Sequence, residues 1–367
     1  FVISQIIGYT LSKYAGIKVV SEIASERRAV SLVTLVGVAE VALLAFAIVP
    51  ASFMPVALFV NGLCLGMIWG FVVRYLEGRT SSELLLAGLS TSLIVASGAV
   101  KDIGRWLMRD LGVGEAWMPA AVGAMFFPLF LISVWFLDQI PDPTEEDVAE
   151  RVERLSVDGA HRVAFVKRFA GGLLPLFAVY VAATAYRDFR DNYGVEIFAR
   201  LGYEGEPGLF TRTELPVAFG VMLTLAALNL VKDNRRGLAG AFVVMLAGAV
   251  VLGGATLLLD AGSIDGLTWM VAVGLGSYLI YVPFNSVLFD RMIAATGVRA
   301  TAVFAIYIAD ALGYTGSIGA QIYKDFGDAT STRLEFFRSS TYVFALGAGV
   351  LLVVSLAYFW RRTKLAR

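Results

Sequence analysis

The sequence has few of the residues on which soluble enzymes and metalloproteins depend. Its one cysteine, Cys64, lies inside an apolar run and excludes an intramolecular disulfide, and its one histidine, His161, excludes a histidine-rich metal site. The chain contains no Gly-x-x-x-x-Gly-Lys phosphate loop, no Gly-x-Ser-x-Gly and no Cys-x-x-Cys motif. Acidic and basic residues balance at 30 each, so no electrostatic attraction to nucleic acid is expected. We therefore expect neither an enzyme nor a cofactor, and no nucleic-acid partner.

Charged residues are also scarce. They make up 16% of the chain, against 58% hydrophobic residues, and the mean hydropathy is +0.74. A soluble domain is roughly half apolar and about a quarter charged. Many apolar runs reach the roughly 20 residues that a helix needs to cross a bilayer. The 37 glycines suit helices that pack closely in lipid. The composition predicts an all-α, polytopic membrane protein whose first partner is the lipid bilayer.

Eleven candidate spans can be placed along the chain. They lie at about 1–20, 29–50, 55–76, 82–103, 117–138, 171–190, 213–231, 238–260, 267–289, 300–323 and 340–360. The longest polar insertion, 139–170, separates five spans from six. Within it, the acids after Thr144 and the apolar spacing of Val148, Val152 and Leu155 predict a short helix on the membrane surface.

An internal repeat explains the uneven division. At an offset of 212 residues, the run Asn61–Trp69 aligns with Val273–Tyr281, and the aligned pairs include glycines, apolar residues and aromatic residues. The shared positions are Gly62/Gly274, Leu63/Leu275, Ile68/Ile280, Trp69/Tyr281, Arg79/Arg291, Gly8/Gly220 and Leu11/Leu223. The span 171–190 then has no partner, so we expect one more helix ahead of Phe1. The chain divides into an N-terminal half (1–138), a linker (139–170) and a C-terminal six-helix half (171–367).

Lysine and arginine are distributed unevenly between the two sides of the predicted spans. The loops on one side carry 18 of them and the loops on the other carry 10. By the positive-inside rule, the linker and the C-terminus face the cytoplasm. The polar end of the span 171–190 then faces outward.

That polar end is the most informative stretch of the sequence. It reads Thr184-Ala-Tyr-Arg-Asp-Phe-Arg-Asp-Asn-Tyr193 and closes an apolar run, where four ionised groups are expensive unless they pair or function. Arg187 and Arg190 lie three residues apart on one helix face, and Arg187 can reach Asp191. Two arginines in this place match a carboxylate or phosphate group of a solute. The alternative is a self-neutralised helix end, with Arg187 on Asp191 and Arg190 on Asp188 or another neighbour.

Several runs carry a family resemblance. Two halves of six spans with a long linker, and Glu22 followed by Arg27 and Arg28 after the first span, resemble the major facilitator superfamily (MFS). The runs Ile7–Lys13, Arg187–Asn192 and Tyr281–Asn285 resemble, more closely, a bacterial multi-span family related to that superfamily. The resemblance implies an MFS-like fold in a bacterial cytoplasmic membrane and a missing first helix, and it brings no established substrate.

The resemblance also implies which spans line a central cavity. They are 55–76, 171–190 and 267–289, so Asn61, Tyr278, Tyr281 and Asn285 join the two arginines as candidate substrate contacts. Pro283 is expected to break its span just before Asn285.

Lys13 and Asp310 are the deepest charges of opposite sign, on spans that meet at the seam between the halves in the superfamily arrangement. We predict that they, with Asp188 and Asp191, serve coupling or gating. Lys13 and Asp310 would form an ion pair that opens and closes the cytoplasmic side, unless the pair is permanent and structural. Asp310 would alternatively carry a proton, because a carboxyl without its cation in apolar surroundings tends to protonate.

The sequence thus favours a secondary transporter, working as a monomer by alternating access. Its solute would be small and organic, with an anion favoured by Arg187 and Arg190, and coupled to protons or exchanged for a second anion. The alternative is a membrane sensor or scaffold on the same fold that moves no solute. Measured flux separates the two.

Overall fold

The computed structural model describes residues 1–76, 82–141, 159–297, 302–328 and 330–365. This part of the chain forms fourteen α-helices. They are α1 (Val2–Glu22), α2 (Arg28–Ile48), α3 (Met54–Leu65), α4 (Ile68–Leu76), α5 (Ser82–Asp110), α6 (Met118–Asp138), α7 (Gly159–Asn192), α8 (Gly194–Arg200), α9 (Leu209–Asn229), α10 (Asn234–Asp260), α11 (Gly266–Ser286), α12 (Leu288–Thr296), α13 (Ala302–Ile322) and α14 (Arg333–Leu365). A 3-10 turn, Ser25–Arg27, precedes α2, and a π-helical turn, Tyr323–Gly327, follows α13.

The described helices confirm an all-α protein built for a membrane. Nine helical stretches within the described ranges are long and apolar enough to span a bilayer. Helices α1 and α13 each have 21 residues but are not among the nine, so the count of eleven spans stays a prediction. The predicted span 55–76 is interrupted between α3 and α4, and the span 267–289 is interrupted at Val287, between α11 and α12.

The prediction that Pro283 breaks its span before Asn285 is wrong. Helix α11 continues through Pro283 to Ser286, and the Val287 amide donates to the Pro283 carbonyl at 3.1 Å. A proline removes its own N–H donor and crowds the carbonyl four residues earlier, and neighbouring groups in a membrane bundle can satisfy the backbone groups that this frees. Asn285 therefore keeps a helical direction set by α11.

Two compact units make up the chain. Among the described residues, the first contains 1–76 and 99–141, and the second contains 82–98, 159–297, 302–328 and 330–365. The core of the second unit is rich in buried aromatic and aliphatic side chains from α7, α10, α11 and α14, including Tyr180, Phe242, Trp269 and Phe337. Helix α7 has 34 residues, so it begins well before the predicted span 171–190.

The sequence repeat recurs in the packing of each unit. In the first unit α1 packs on α3, α3 on α2, and α2 on α6. In the second unit the equivalent helices repeat this order, with α9 on α11, α11 on α10, and α10 on α14. Aligned glycines lie at these contacts: a Cβ on Gly62 would meet the Gln5 carbonyl at 2.0 Å, and one on Gly274 would meet Val217 at 3.0 Å.

Some sequence predictions lie outside the described residues. They are the surface helix around Thr144, Arg79 of the repeat, and the side chain of Glu22.

At the start of α11, Asp265 caps the helix by accepting a hydrogen bond from the Thr268 amide at 2.8 Å. Hydrogen bonds from the side chain and backbone of Thr268 lower the pKa of Asp265 below its ordinary value.

The close crossing of α10 and α11 supplies a stability prediction. A Cβ on Gly248 would lie 2.6 Å from the Gly276 carbonyl oxygen, whereas a Cβ on Gly254 of the same helix would meet no described atom within 4 Å. We expect Gly248→Ala to lower the free energy of unfolding by about 1–3 kcal/mol through overpacking. Gly254→Ala should be neutral or slightly stabilising. Thermal midpoints in detergent check this, and equal midpoints for the two variants would contradict so close a crossing of the two helices.

Candidate functional site

Polar side chains converge inside the apolar second unit, where α7, α9, α11 and α13 meet. We call this set the polar column. Its members are Tyr180, Arg187, Asp188, Arg190, Glu214, Tyr278, Tyr281, Asn285, Asp310, Tyr314 and Ser317. Along α7, Tyr180 and Arg190 lie ten residues apart, roughly 15 Å at the rise of a helix. Ionisable groups inside membrane helices are costly and usually serve a function, so we treat the polar column as the candidate functional site.

At one end of the column, Tyr180 connects three helices. Its hydroxyl donates to the carboxylate of Asp310 on α13 and accepts from the Asn285 amide on α11 at 3.1 Å. Tyr180 is fully buried, and Asn285 and Asp310 are 5% and 4% exposed. Gly313 allows the approach of α13, because a Cβ there would meet the Thr184 hydroxyl at 2.6 Å. Asp310 is thus a buried carboxylate with a hydrogen-bond donor supplied by α7.

In the middle of the column, the Tyr281 ring is held between two α7 side chains. It stacks on the Tyr180 ring at a centroid distance of 5.1 Å, and the Arg187 guanidinium carbon lies 4.2 Å from its centroid. Arg187 also donates to the Tyr314 hydroxyl at 3.3 Å. A guanidinium on a tyrosine face is stabilised by the ring quadrupole, more so where water is excluded. Arg187 is therefore oriented by helices α11 and α13.

Arg187 forms its ion pair with the next residue in the chain. Its Nη2 and Nε atoms approach the same oxygen of Asp188, Oδ1, at 2.7 and 3.3 Å. Ser317 lies within hydrogen-bonding reach of this carboxylate. The side chains of Arg187 and Asp188 are 8% and 12% exposed. Adjacent residues on a helix do not face each other, so the guanidinium folds back to make this contact.

Arg190 forms a second buried ion pair, with a partner that the sequence spacing does not predict. Its Nη1 lies 2.8 Å from the carboxylate of Glu214 on α9, and its Nη2 donates to the Met270 carbonyl of α11 at 3.2 Å. The two paired side chains are 2% and 3% exposed. A Cβ on Gly274 would lie 2.7 Å from Arg190 Nη2, so the glycine leaves space for the guanidinium. This pair joins three helices.

Sequence reasoning missed Glu214, Tyr180, Tyr314 and Ser317. The only signal for Glu214 was its place at the edge of the predicted span 213–231, directly before the apolar run of α9. Its partner could not be read from spacing, since Arg190 is on a different helix. The tyrosines and the serine carry no distinguishing pattern in an apolar helix.

The structure brings together most of the predicted site residues. Arg187, Arg190, Asp188, Tyr281, Asn285 and Asp310 lie in the polar column through the contacts above, and Tyr278 is buried beside Arg190. Asp191 is half-buried and acts electrostatically on Asp188, Arg190 and Tyr278.

Asn61 and Lys13 belong to the first unit. The Asn61 amide accepts from Gln5 at 2.7 Å and donates to the Ala39 carbonyl at 3.0 Å, so it links α3 to α1 and α2. Lys13 is 3% exposed, with its ammonium 5.3 Å from the Tyr9 ring centroid. The predicted pairing of Lys13 with Asp310 stays a prediction, as does the role of Asn61 in substrate binding.

Two solved transporter structures are similar to this chain. The crystal structure of a D-xylose-proton symporter has a TM-score of 0.63 and 13% identity over 96% of this chain and 85% of that chain. The E. coli fucose:proton symporter FucP, solved as a single-site variant, has a TM-score of 0.56 and 14% identity over 97% and 90%. These likenesses confirm the predicted MFS-like fold. Comparison with curated protein sequences finds no match.

One family model covers nearly the whole sequence. It matches residues 1–362 and is described as a family of unknown function, DUF5690. The protein is a multi-pass membrane protein of MFS-like fold, and the chain belongs to the DUF5690 family.

Proposed function

We propose that this protein is a secondary transporter that moves a small organic solute across its membrane by alternating access. The observation that carries the proposal is the polar column, a set of paired charges and tyrosines enclosed by the four helices α7, α9, α11 and α13. Such groups are expensive in a membrane bundle, and a solute pathway gives them a use. The two similar structures are both named as proton symporters, which supports solute transport with protons.

The solute is an organic anion, bound through Arg187. Of the two arginines, Arg190 is ion-paired with Glu214 and donates to a backbone carbonyl. Its side chain is only 2% exposed. Arg187 is held by the adjacent Asp188, a tyrosine hydroxyl and the Tyr281 ring, and its carboxylate partner is the more exposed of the two, at 12% against 3%. Its planar fork of donors matches a carboxylate or phosphate group. Tyr281 and Tyr278 line the same part of the column, and Asn285 lies toward its far end.

A neutral, polyhydroxylated solute is the second candidate. The column offers the hydroxyls of Tyr281 and Tyr314 and the amide of Asn285, which can bind a sugar-like solute without displacing a carboxylate. The neighbouring structures are named for D-xylose and fucose, which are solutes of this kind. Binding of such a solute should not depend on Arg187, and this is the measurable difference from an anion.

The remaining features of the proposal come from the sequence. The protein would work as a monomer in a bacterial cytoplasmic membrane, with its linker and C-terminus on the cytoplasmic side. Asp310, Asp191 and Lys13 would serve gating, Asp310 through its hydrogen bond with Tyr180. Protons or a counter-anion would drive the solute. The competing hypothesis remains a sensor or scaffold that binds a solute without moving it.

A ligand panel followed by flux tests the proposal. The purified protein in detergent is heated with carboxylates, phosphate esters, sugars and amines, because a ligand that binds the native state raises the melting temperature by mass action. A stabilising compound is then tested, radiolabelled, for counterflow in proteoliposomes. Stabilisation and counterflow by an anion are expected. A stabilising sugar with counterflow would select the second candidate, and stabilisation without any flux would favour the sensor.

A further inference from the structure

We infer that Asp188 is an exchangeable partner of Arg187, and that an entering solute anion replaces it while Asp188 takes up a proton. This inference rests on the proposed function and assigns both its substrate class and its coupling residue. The anionic group of the solute would pair with the Arg187 guanidinium. The proton would add to the released Asp188 carboxylate and give a neutral carboxyl. No covalent bond to the solute forms, and the proton comes from the buffered solution on the side from which the anion enters.

The geometry of the resting pair is poor for an arginine–carboxylate contact. The strong form of this contact is two-pronged, with parallel hydrogen bonds to two carboxylate oxygens. Here Nη2 and Nε of Arg187 both approach the single oxygen Oδ1 of Asp188, at 2.7 and 3.3 Å. The adjacent position on the helix prevents a better alignment. A carboxylate or phosphate that approaches from the column can present two oxygens and therefore competes with Asp188.

The two ion pairs also differ in exposure, and this difference again favours release of Asp188 rather than Glu214. Asp188 retains 12% side-chain exposure, whereas Glu214, which pairs with Arg190, retains 3%. Glu214 is also approached closely by α5, because a Cβ on Gly98 would lie 3.0 Å from its Cγ. Glu214 is thus packed in place. Of the two carboxylates paired with these arginines, Asp188 is therefore the more accessible and the one we expect to release its partner.

The charge balance of the column requires a proton when an anion enters. Besides Asp188, the titratable and charged groups of the column and its end are Tyr180, Arg187, Arg190 and Asp191 on the same helix, Glu214 on α9, Tyr278 and Tyr281 on α11, and Asp310 and Tyr314 on α13. Carboxyl groups outnumber the guanidinium groups among them. An added anion would increase the negative charge in a region of low dielectric, where repulsion between like charges is strong.

Ser317 can accept a hydrogen bond from Asp188 once Asp188 is protonated. The hydroxyl is fully buried, accepts from the Gln321 amide at 3.3 Å and lies beside the Asp188 carboxylate. A hydroxyl can donate to a carboxylate and can equally accept from a protonated carboxyl. Asp188 can therefore gain a proton and lose Arg187 without leaving its new O–H group unsatisfied.

The test measures anion binding and proton uptake together, with formate, lactate, succinate and inorganic phosphate as probes and chloride as the reference salt. Binding to the whole protein in detergent is followed by calorimetry in two buffers of different ionisation enthalpy, which reports the protons taken up. For the wild type we expect one proton per anion bound. Its affinity should fall about tenfold for each pH unit on the alkaline side of the transition. For Asp188→Asn we expect anion binding without proton uptake and without this pH dependence.

Asp260→Asn is the matched control, because Asp260 is ion-paired with Arg338 at 2.6 Å outside the column and should behave as the wild type. Anion binding by the wild type without proton uptake would overturn the inference even if Asp188→Asn did not fold. Loss of the pH dependence in Asp310→Asn rather than in Asp188→Asn would transfer the proton to Asp310 and overturn it too. If no probe binds the wild type or Asp188→Asn, the inference fails. Counterflow of a neutral solute would then still leave the transporter proposal standing.

Discussion

Replacing Glu214 with leucine is expected to lower the free energy of unfolding by about 3–5 kcal/mol, the usual range when one member of a buried ion pair is removed. The Arg190 guanidinium would remain at 2% exposure without the carboxylate that lies 2.8 Å away. Its hydrogen bond to the Met270 carbonyl at 3.2 Å compensates only one of its donors. An unpaired cation in this position is unfavourable because the surrounding helices exclude water.

The double variant Arg190→Leu/Glu214→Leu should be much less destabilised than the sum of the two single variants. Replacing a whole buried pair with apolar residues is often neutral, because the desolvation of both charges is removed as well. A double-mutant cycle isolates this coupling. Unfolding in detergent by a denaturing surfactant supplies the four free energies.

The exposed pair Arg212–Glu206 is the control cycle. Its atoms lie 3.4 Å apart, with side chains 61% and 42% exposed. Exposed pairs couple by about 0–1 kcal/mol, so leucine substitutions there should show little interaction. Equal coupling energies in the two cycles would mean that Arg190 and Glu214 are solvated in the folded protein, contrary to their burial.

Much of the fold could be predicted because membrane helices are governed by length and composition. A run of apolar residues must be helical in lipid, since every backbone donor needs an internal acceptor. The offset between Gly62 and Gly274 likewise predicted a repeat, and the same order of helix contacts recurs in both units. The interruption at Val287 was placed too early, at Pro283, because the compensation of a proline depends on neighbouring helices that a single sequence does not reveal.

The candidate site was predictable only where a charge itself was the signal. Arg187 and Arg190 stand out because ionised groups are costly inside an apolar run. The pairing of Arg190 with Glu214, and the hydrogen bond from Tyr180 to Asp310, join residues 24 and 130 positions apart on different helices. Such pairs are set by tertiary packing. Tyrosine in a membrane helix is also common in packing roles, so Tyr180 and Tyr314 gave no signal of their own.

Replacing Arg187 with glutamine is expected to reduce solute uptake by roughly a hundredfold, which corresponds to about 3 kcal/mol of lost interaction with a desolvated anion. Arg187→Lys keeps the charge but loses the planar fork and the contact with the Tyr281 ring at 4.2 Å, so an intermediate loss is expected. The measurement is initial uptake, per folded molecule, of the anion that stabilises the wild type. Arg212→Gln, on the exposed pair, should transport as the wild type does.

The double variant Arg187→Gln/Asp188→Asn separates binding from folding. It removes both charges of the pair at once, so neither side chain is left as a buried ion, and the amides can still hydrogen-bond Tyr314 and Ser317. We expect its melting temperature to stay closer to that of the wild type than that of Arg187→Gln does, while anion uptake stays as low as in Arg187→Gln. Loss of uptake in a stable protein would then reflect the missing guanidinium. Uptake at the wild-type rate by this variant would show that the anion does not pair with Arg187, and would move the solute toward the neutral class that Tyr281, Tyr314 and Asn285 can bind.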